Sequence, residues 1–214
     1  MRDIWDISRA LTGDVAPWPG DTPFRYELKW CLGETCSVNV GALSMSVHNG
    51  THADAPFHFV RKGNTIDSLP LENYIGPAVV IDLAGKFSRT QPFIAIADLE
   101  HARSQIAETR RVLLKTNCFP DSKRFPDWIP VLNPEAIAWL CELHVVLLGV
   151  DLPSVDPIEA KVLANHHALN AGNIAIVESL DLSEVEGGVY QFAALPLKIV
   201  GGDAAPTRAL LWRD

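Results

Sequence analysis

Residues 145–179, VVLLGVDLPSVDPIEAKVLANHHALNAGNIAIVES, hold two short apolar runs, VVLLGVD (145–151) and NIAIVES (173–179), on either side of a helical pattern at 157–169. Upstream, PAVVIDL (77–83) and RVLLKTN (111–117) are runs of the same kind, and helical patterns at 97–107 and 134–144 lie between the runs. Apolar runs of this length are buried in sheets, and their alternation with helices predicts an α/β fold: a mixed β-sheet with flanking helices. One helix can be placed more closely. Asp156 is a natural N-cap, Pro157 fits the first helical position and Glu159 completes a capping-box pattern, so a helix is expected to start there. Ile158, Val162 and His166 then share a face, which directs His166 inward and turns His167 about 100° away.

The first half of the chain is strand-like instead. DIWDIS (3–8), FRYELKW (24–30) and SVNVGALSMSVH (37–48) alternate with a period of two. The loop APWPGDTPF (16–24) between the first two carries Trp18. At the other end, ALPLKIV (194–200) and RALLW (208–212) return to strand.

The 214 residues suit one domain spanning 1–214. Their formal charge of −8, from 18 basic and 26 acidic residues, argues against nucleic acid and anionic membranes as partners. Charges at Asp3 and Asp6 stand where a signal peptide needs an apolar core, and no apolar run approaches the roughly 18–20 residues of a membrane span. A cytoplasmic protein is expected. Cys31, Cys36, Cys118 and Cys141 contain no C-x-x-C pair and are expected to be buried thiols.

The chemistry concentrates in HNGTHADAPFH (48–58), where His48, His52, Asp54 and His58 are all even-numbered and so share one side of an extended chain. A straight strand would spread them over about 33 Å, so the chain must bend, and Gly50 and Pro56 are placed to let it. Two imidazoles and a carboxylate can then converge on one cation, leaving His58 nearby. Such a donor set suits zinc and similar ions, and three protein ligands leave an open position, as catalytic sites do. Glu178 ends an apolar strand, where a charge is costly unless something compensates it. His166 and Glu178 read equally well as a second ligand pair or as a helix residue and a strand-edge glutamate.

The segment H-N-G-T-H-A-D-A-P-F-H resembles the H-x-G-T-H-x-D-x-P-x-H signature of the cyclase family of metal-dependent hydrolases, to which the bacterial kynurenine formamidases (arylformamidases) belong. The likeness runs along the chain through WDIS (5–8), WPGDTP (18–23), DLPSVD (151–156), the His166 to Glu178 spacing and ALPLK (194–198). It implies a swivelling β/β/α fold, a homodimer and a site with two zinc ions. His48, His52 and Asp54 would hold one ion, His166 the other, and Asp54 and Glu178 would help to join them. His58 would be the proton shuttle and Trp18 would line the substrate pocket.

The implied reaction is hydrolysis of N-formyl-L-kynurenine to L-kynurenine and formate, in tryptophan degradation, by a zinc-activated hydroxide. Leu152 stands where close relatives usually have threonine, which bears on substrate preference. Two other functions compete: opening of a cyclic amide such as isatin at the same metal centre, and a metal-binding module without catalysis, which would have no use for a non-ligand His58.

Overall fold

The computed structural model describes residues 3–213. In chain order its strands are β1 (Ile4–Asp6), β2 (Arg25–Trp30), β3 (Val40–Ser44), β4 (His52–Asp54), β5 (Ile75–Asp82), β6 (Phe93–Ile94), β7 (Arg111–Lys115), β8 (Val131–Leu132), β9 (Leu147–Val150), β10 (Ala175–Glu178), β11 (Gly188–Ala193), β12 (Ala204–Pro206) and β13 (Leu210–Trp212). The helices are α1 (Ile96–Leu99), α2 (Arg103–Thr109), α3 (Pro134–Glu142) and α4 (Ala164–Ala171). None of the described helices is long and apolar enough to cross a membrane.

Nine strands form one mixed sheet in the order β1-β13-β11-β5-β7-β9-β10-β4-β12. β5, β7, β9 and β10 pair in parallel at its centre, and antiparallel strands extend it on both sides. This explains the central sequences. Both faces of a parallel sheet are covered, so its strands are apolar throughout instead of alternating. Val79, Ile81, Val112, Leu114, Leu148 and Val150 face a cluster that includes Leu99, Ile106, Ile137 and Leu140. Ala78, Val80, Leu113, Leu147 and Val177 face the other way. There they meet Ala53 and Ala205 from one end of the sheet and Phe192 and Leu211 from the other, so the sheet curls around this second cluster. Each buried leucine or isoleucine contributes about 1.5–3 kcal/mol.

The expected α/β class and mixed sheet are observed, but four local expectations need correction. First, residues 157–163 are irregular and α4 starts at Ala164. Val162 is 75% exposed, so the supposed apolar stripe has no partner to hold a helix there. Second, the strand expected over 37–48 is shorter, covering only Val40–Ser44, and pairs with β2 as a separate hairpin whose Tyr26, Leu28, Trp30 and Leu43 are exposed. Third, ALPLKIV makes only an isolated bridge at Pro196, while β11, with Tyr190 and Phe192 buried, is the strand that precedes it. Apolarity alone misled there, since Leu197 and Val200 face outward. Fourth, the cysteines are unpaired but not buried: Cys31 is exposed and the other three are half-buried.

Candidate metal centre

The pairing of β4 sets the site. It lies between β10 and β12, with His52 opposite Glu178 and Asp54 opposite Ala204. Because a strand alternates its faces, His52 and Asp54 project together while Ala53 and Ala55 enter the apolar cluster. His48 is not on a strand. It stands in the turn before Gly50, whose φ of +68° suits a residue without a Cβ. His58 closes a single 3-10 turn, Pro56–His58, so the chain does bend on both sides of β4. α4 supplies His166 and the C-terminal end of β10 supplies Glu178.

These side chains form two triads that share Asp54. Its Oδ1 lies 3.2 Å from His48 Nδ1 and 3.3 Å from His52 Nε2. Its Oδ2 lies 3.3 Å from His166 Nε2, which is 3.5 Å from Glu178 Oε1. The other glutamate oxygen, Oε2, is 3.5 Å from His52 Nε2, so Glu178 also faces both triads. Donors around one tetrahedral ion, bonded at about 2.0–2.1 Å, stand roughly 3.3 Å apart. Moreover, His52 Nε2 and Asp54 Oδ1 are buried and have no hydrogen-bond partner. Orphaned polar atoms are expensive, and a shared cation would satisfy both. The residues therefore fit a divalent metal.

The nitrogen that each histidine turns away from its triad is also held. His52 Nδ1 donates to the Gly50 carbonyl (2.9 Å), His166 Nδ1 to Asp156 Oδ2 (2.6 Å) and His48 Nε2 to Asp203 Oδ2 (3.0 Å). Such acceptors fix the ring orientation and tautomer of metal-binding histidines. Asp156 does serve as a cap, but for a later helix: it accepts the backbone N–H groups of Asn165 and His166. Asp203 carries no signal in the sequence, because only the pairing of β12 with β4 brings it near.

The carboxylates also favour positive charge on two of the imidazoles that face them. Burial opposes charge on His48, but Asp54 and Asp203 outweigh it and push its pKa up to about 9. For His166 burial is outweighed by Asp156, Asp54 and Glu178, and the value rises to about 12. Burial alone would raise the Asp54 carboxyl, yet His166, His48 and His52 hold it well below the usual carboxylate range. His58 differs: burial, aided by the charges of His48 and His166, lowers its pKa.

The triads open into a cleft of about 430 Å³. Trp18 forms part of its wall and meets Phe125 edge to face, with ring centroids 5.0 Å apart. Phe119 and Phe125, from the loop after β7, complete an aromatic lining that the sequence did not reveal. His58 borders the same cleft, its ring centroid 4.2 Å from that of His48. Pro153 and Ser154 line it too, whereas Leu152 is 1% exposed and packs into the helix-side core. The departure at Leu152 thus faces away from the cleft.

The model of a family described as "Putative cyclase" matches residues 5–157. The chain belongs to the cyclase family. It is 43% identical over 206 residues to the kynurenine formamidase of Bacillus thuringiensis (strain Al Hakam), covering 96% of this chain and 95% of that one. Identity to the enzyme of the same name from Bacillus mycoides (strain KBAB4) is 44% over the same coverage. Among solved structures, isatin hydrolase A from Ralstonia solanacearum superposes with a TM-score of 0.82 at 25% identity, over 100% of this chain and 92% of that one. A structure described as a potential metal-dependent hydrolase with cyclase activity gives 0.81 at 25% identity, over the whole of both chains. This cyclase-family member is a hydrolase, and its histidine and carboxylate groups fit a metal site.

Proposed function

We propose that the protein hydrolyses N-formyl-L-kynurenine to L-kynurenine and formate, with two zinc ions per subunit. The observation that carries this reading is the division of Asp54, one oxygen in each triad, beside an aromatic cleft bordered by a histidine that belongs to neither. The name kynurenine formamidase, carried by its 43–44% identical relatives, supports this choice of substrate.

In this reading His48, His52 and Asp54 would hold one ion and His166 the other, with Asp54 and Glu178, which face both triads, helping to join them. When bound, such ions lower the pKa of a coordinated water to roughly 7 and polarise the carbonyl to be attacked. Trp18, Phe119 and Phe125 receive the aryl ring and orient the formyl group toward the triads. His58, at the border of the cleft beside His48, accepts the proton released as water adds to the formyl carbon. It then delivers that proton to the aryl nitrogen as the C–N bond breaks, so that the amine leaves neutral and formic acid is left, which releases its own proton to solvent as formate.

The exposed apolar side chains of the β2–β3 hairpin support a homodimer in which a second copy covers them. Sedimentation should give twice the 23.5 kDa chain mass. The catalytic reading is tested by elemental analysis and assay of the purified protein. Two zinc equivalents per chain, activity lost on chelation and activity restored by zinc are expected. The isatin hydrolase neighbours make a cyclic amide the rival substrate, and a tenfold preference for isatin over the formamide would overturn the assignment.

A further inference from the structure

Asp203 belongs to neither triad, yet it faces both a triad histidine, His48, and His58. One of its oxygens, Oδ2, accepts from His48 Nε2 at 3.0 Å and stands 3.6 Å from His58 Nδ1. The arrangement is built into the backbone through Ala55, whose N–H donates to the Asp203 carbonyl (2.9 Å) and whose carbonyl accepts from the His58 N–H (2.9 Å). Ala55 is fully buried, so it offers the two neighbours little freedom to separate. The adjoining β4–β12 pairing, with Ala204 opposite Asp54, fixes Asp203 from its other side.

We propose that Asp203 is a positioning residue that aims both histidines through one carboxylate oxygen. By accepting the hydrogen bond from His48 Nε2–H it turns Nδ1 toward Asp54 and the first ion. By facing His58 Nδ1 it favours the tautomer with the proton there, leaving Nε2 free of the carboxylate to exchange a proton with substrate. This inference rests on the proposed metal and shuttle roles. The three groups could also gather round a cation of their own, since their donor atoms lie within 4.8 Å of one another. That would require His48 to ligate through both nitrogens, whereas a hydrogen bond to Asp203 uses the second one without a further ion.

The test uses the full-length holoenzyme, Asp203→Asn, His58→Ala and the double variant. Chelator competition with zinc measures metal affinity, and steady-state kinetics measure turnover. Asp203→Asn should retain two ions per chain but bind them roughly 10- to 100-fold more weakly, and kcat should fall at least about tenfold while KM changes less than about threefold. In the His58→Ala background the same substitution should lower kcat by no more than about twofold, because the shuttle it aims is gone, while the loss of metal affinity persists. Asp203→Ser repeats the measurements should the amide disturb folding. Unchanged affinity and kcat in Asp203→Asn, or kcat losses that multiply fully in the double variant, would overturn the proposal. So would a third ion in the parent that the variant lacks. A parent protein that binds no zinc would overturn the metal-centre reading as well, whereas a zinc-dependent parent with an indifferent Asp203 would overturn this inference alone.

Discussion

The two triads that meet at Asp54 differ in how the chain builds them and in how dry they are. His48 and His52 reach Asp54 from within the segment HNGTHAD, whereas His166 lies 112 positions away. Asp54, His166 and Glu178 are 4%, 3% and 3% exposed, while His48 is half-buried at the mouth of the cleft. The remote triad is thus enclosed by sheet and helix, and its charges act in a medium that screens them little. Both triads line the cleft, and His52 is itself only 2% exposed, so it is His48 alone that stands at the open rim.

The largest expected effect is on the residue that both triads share. Asp54→Asn should remove both ions and lower kcat/KM on the order of 10⁴-fold, measured by elemental analysis and assay. If one ion stays bound with normal affinity, the triads are more independent than the common carboxylate implies. Separating them comes next: His166→Ala and His48→Ala should each lose a single ion. In metal-free protein the first should also cost about 3–5 kcal/mol in denaturant unfolding, since it strands buried carboxylates, and the second, at the rim, should cost less. Equal costs would erase the contrast between the enclosed histidine and the one at the rim.

His58→Ala should keep both ions yet lose roughly 10²- to 10⁴-fold in kcat; metal loss on that substitution would make His58 a ligand. A pH series sharpens the comparison further. With folded values of about 9 and about 12, the charged forms of His48 and His166 stabilise the metal-free fold fully below the ordinary histidine value of 6.5. That contribution is lost as pH rises through 9 for His48 and through 12 for His166. Melting of chelated protein should therefore become easier from pH 6.5 to 9, while zinc affinity tightens by up to about tenfold per pH unit for each proton displaced. A flat affinity profile would contradict protonated triads. The smallest effect belongs to Trp18→Leu, which should raise KM a few-fold with kcat nearly unchanged, because the flat ring only helps to seat the substrate.

The same contrast explains how much of the molecule is legible in its sequence. The local triad is written in a spacing, His48, His52 and Asp54, that strand periodicity and a flexible glycine turn into geometry. Glu178 is recognisable as a charge at the end of an apolar strand, and His166 by its neighbourhood, although the helix that carries it starts at Ala164 and not at Pro157. Asp156 holds that imidazole from outside the helix, across the irregular loop 157–163, which no local cap pattern encodes. Asp203, Phe119 and Phe125 depend on which strands become neighbours and where the loops after them land. The parallel centre of the sheet is legible because double burial leaves an unbroken apolar run; β12 is not, because a three-residue edge strand resembles a loop, and β11, six residues long and paired on both sides, is overshadowed by the more apolar ALPLKIV that follows it.

Ala53 and Ala55, which point the opposite way from His52 and Asp54, are both at 0% exposure against the curled interior of the sheet. Their methyl groups leave the strand close to the core, and a bulkier aliphatic at either place would have to lift the whole ribbon. Added volume behind the chain should therefore displace the triads without touching any of their atoms, so size at these two alanines constrains the site as identity does at the histidines on either side of them.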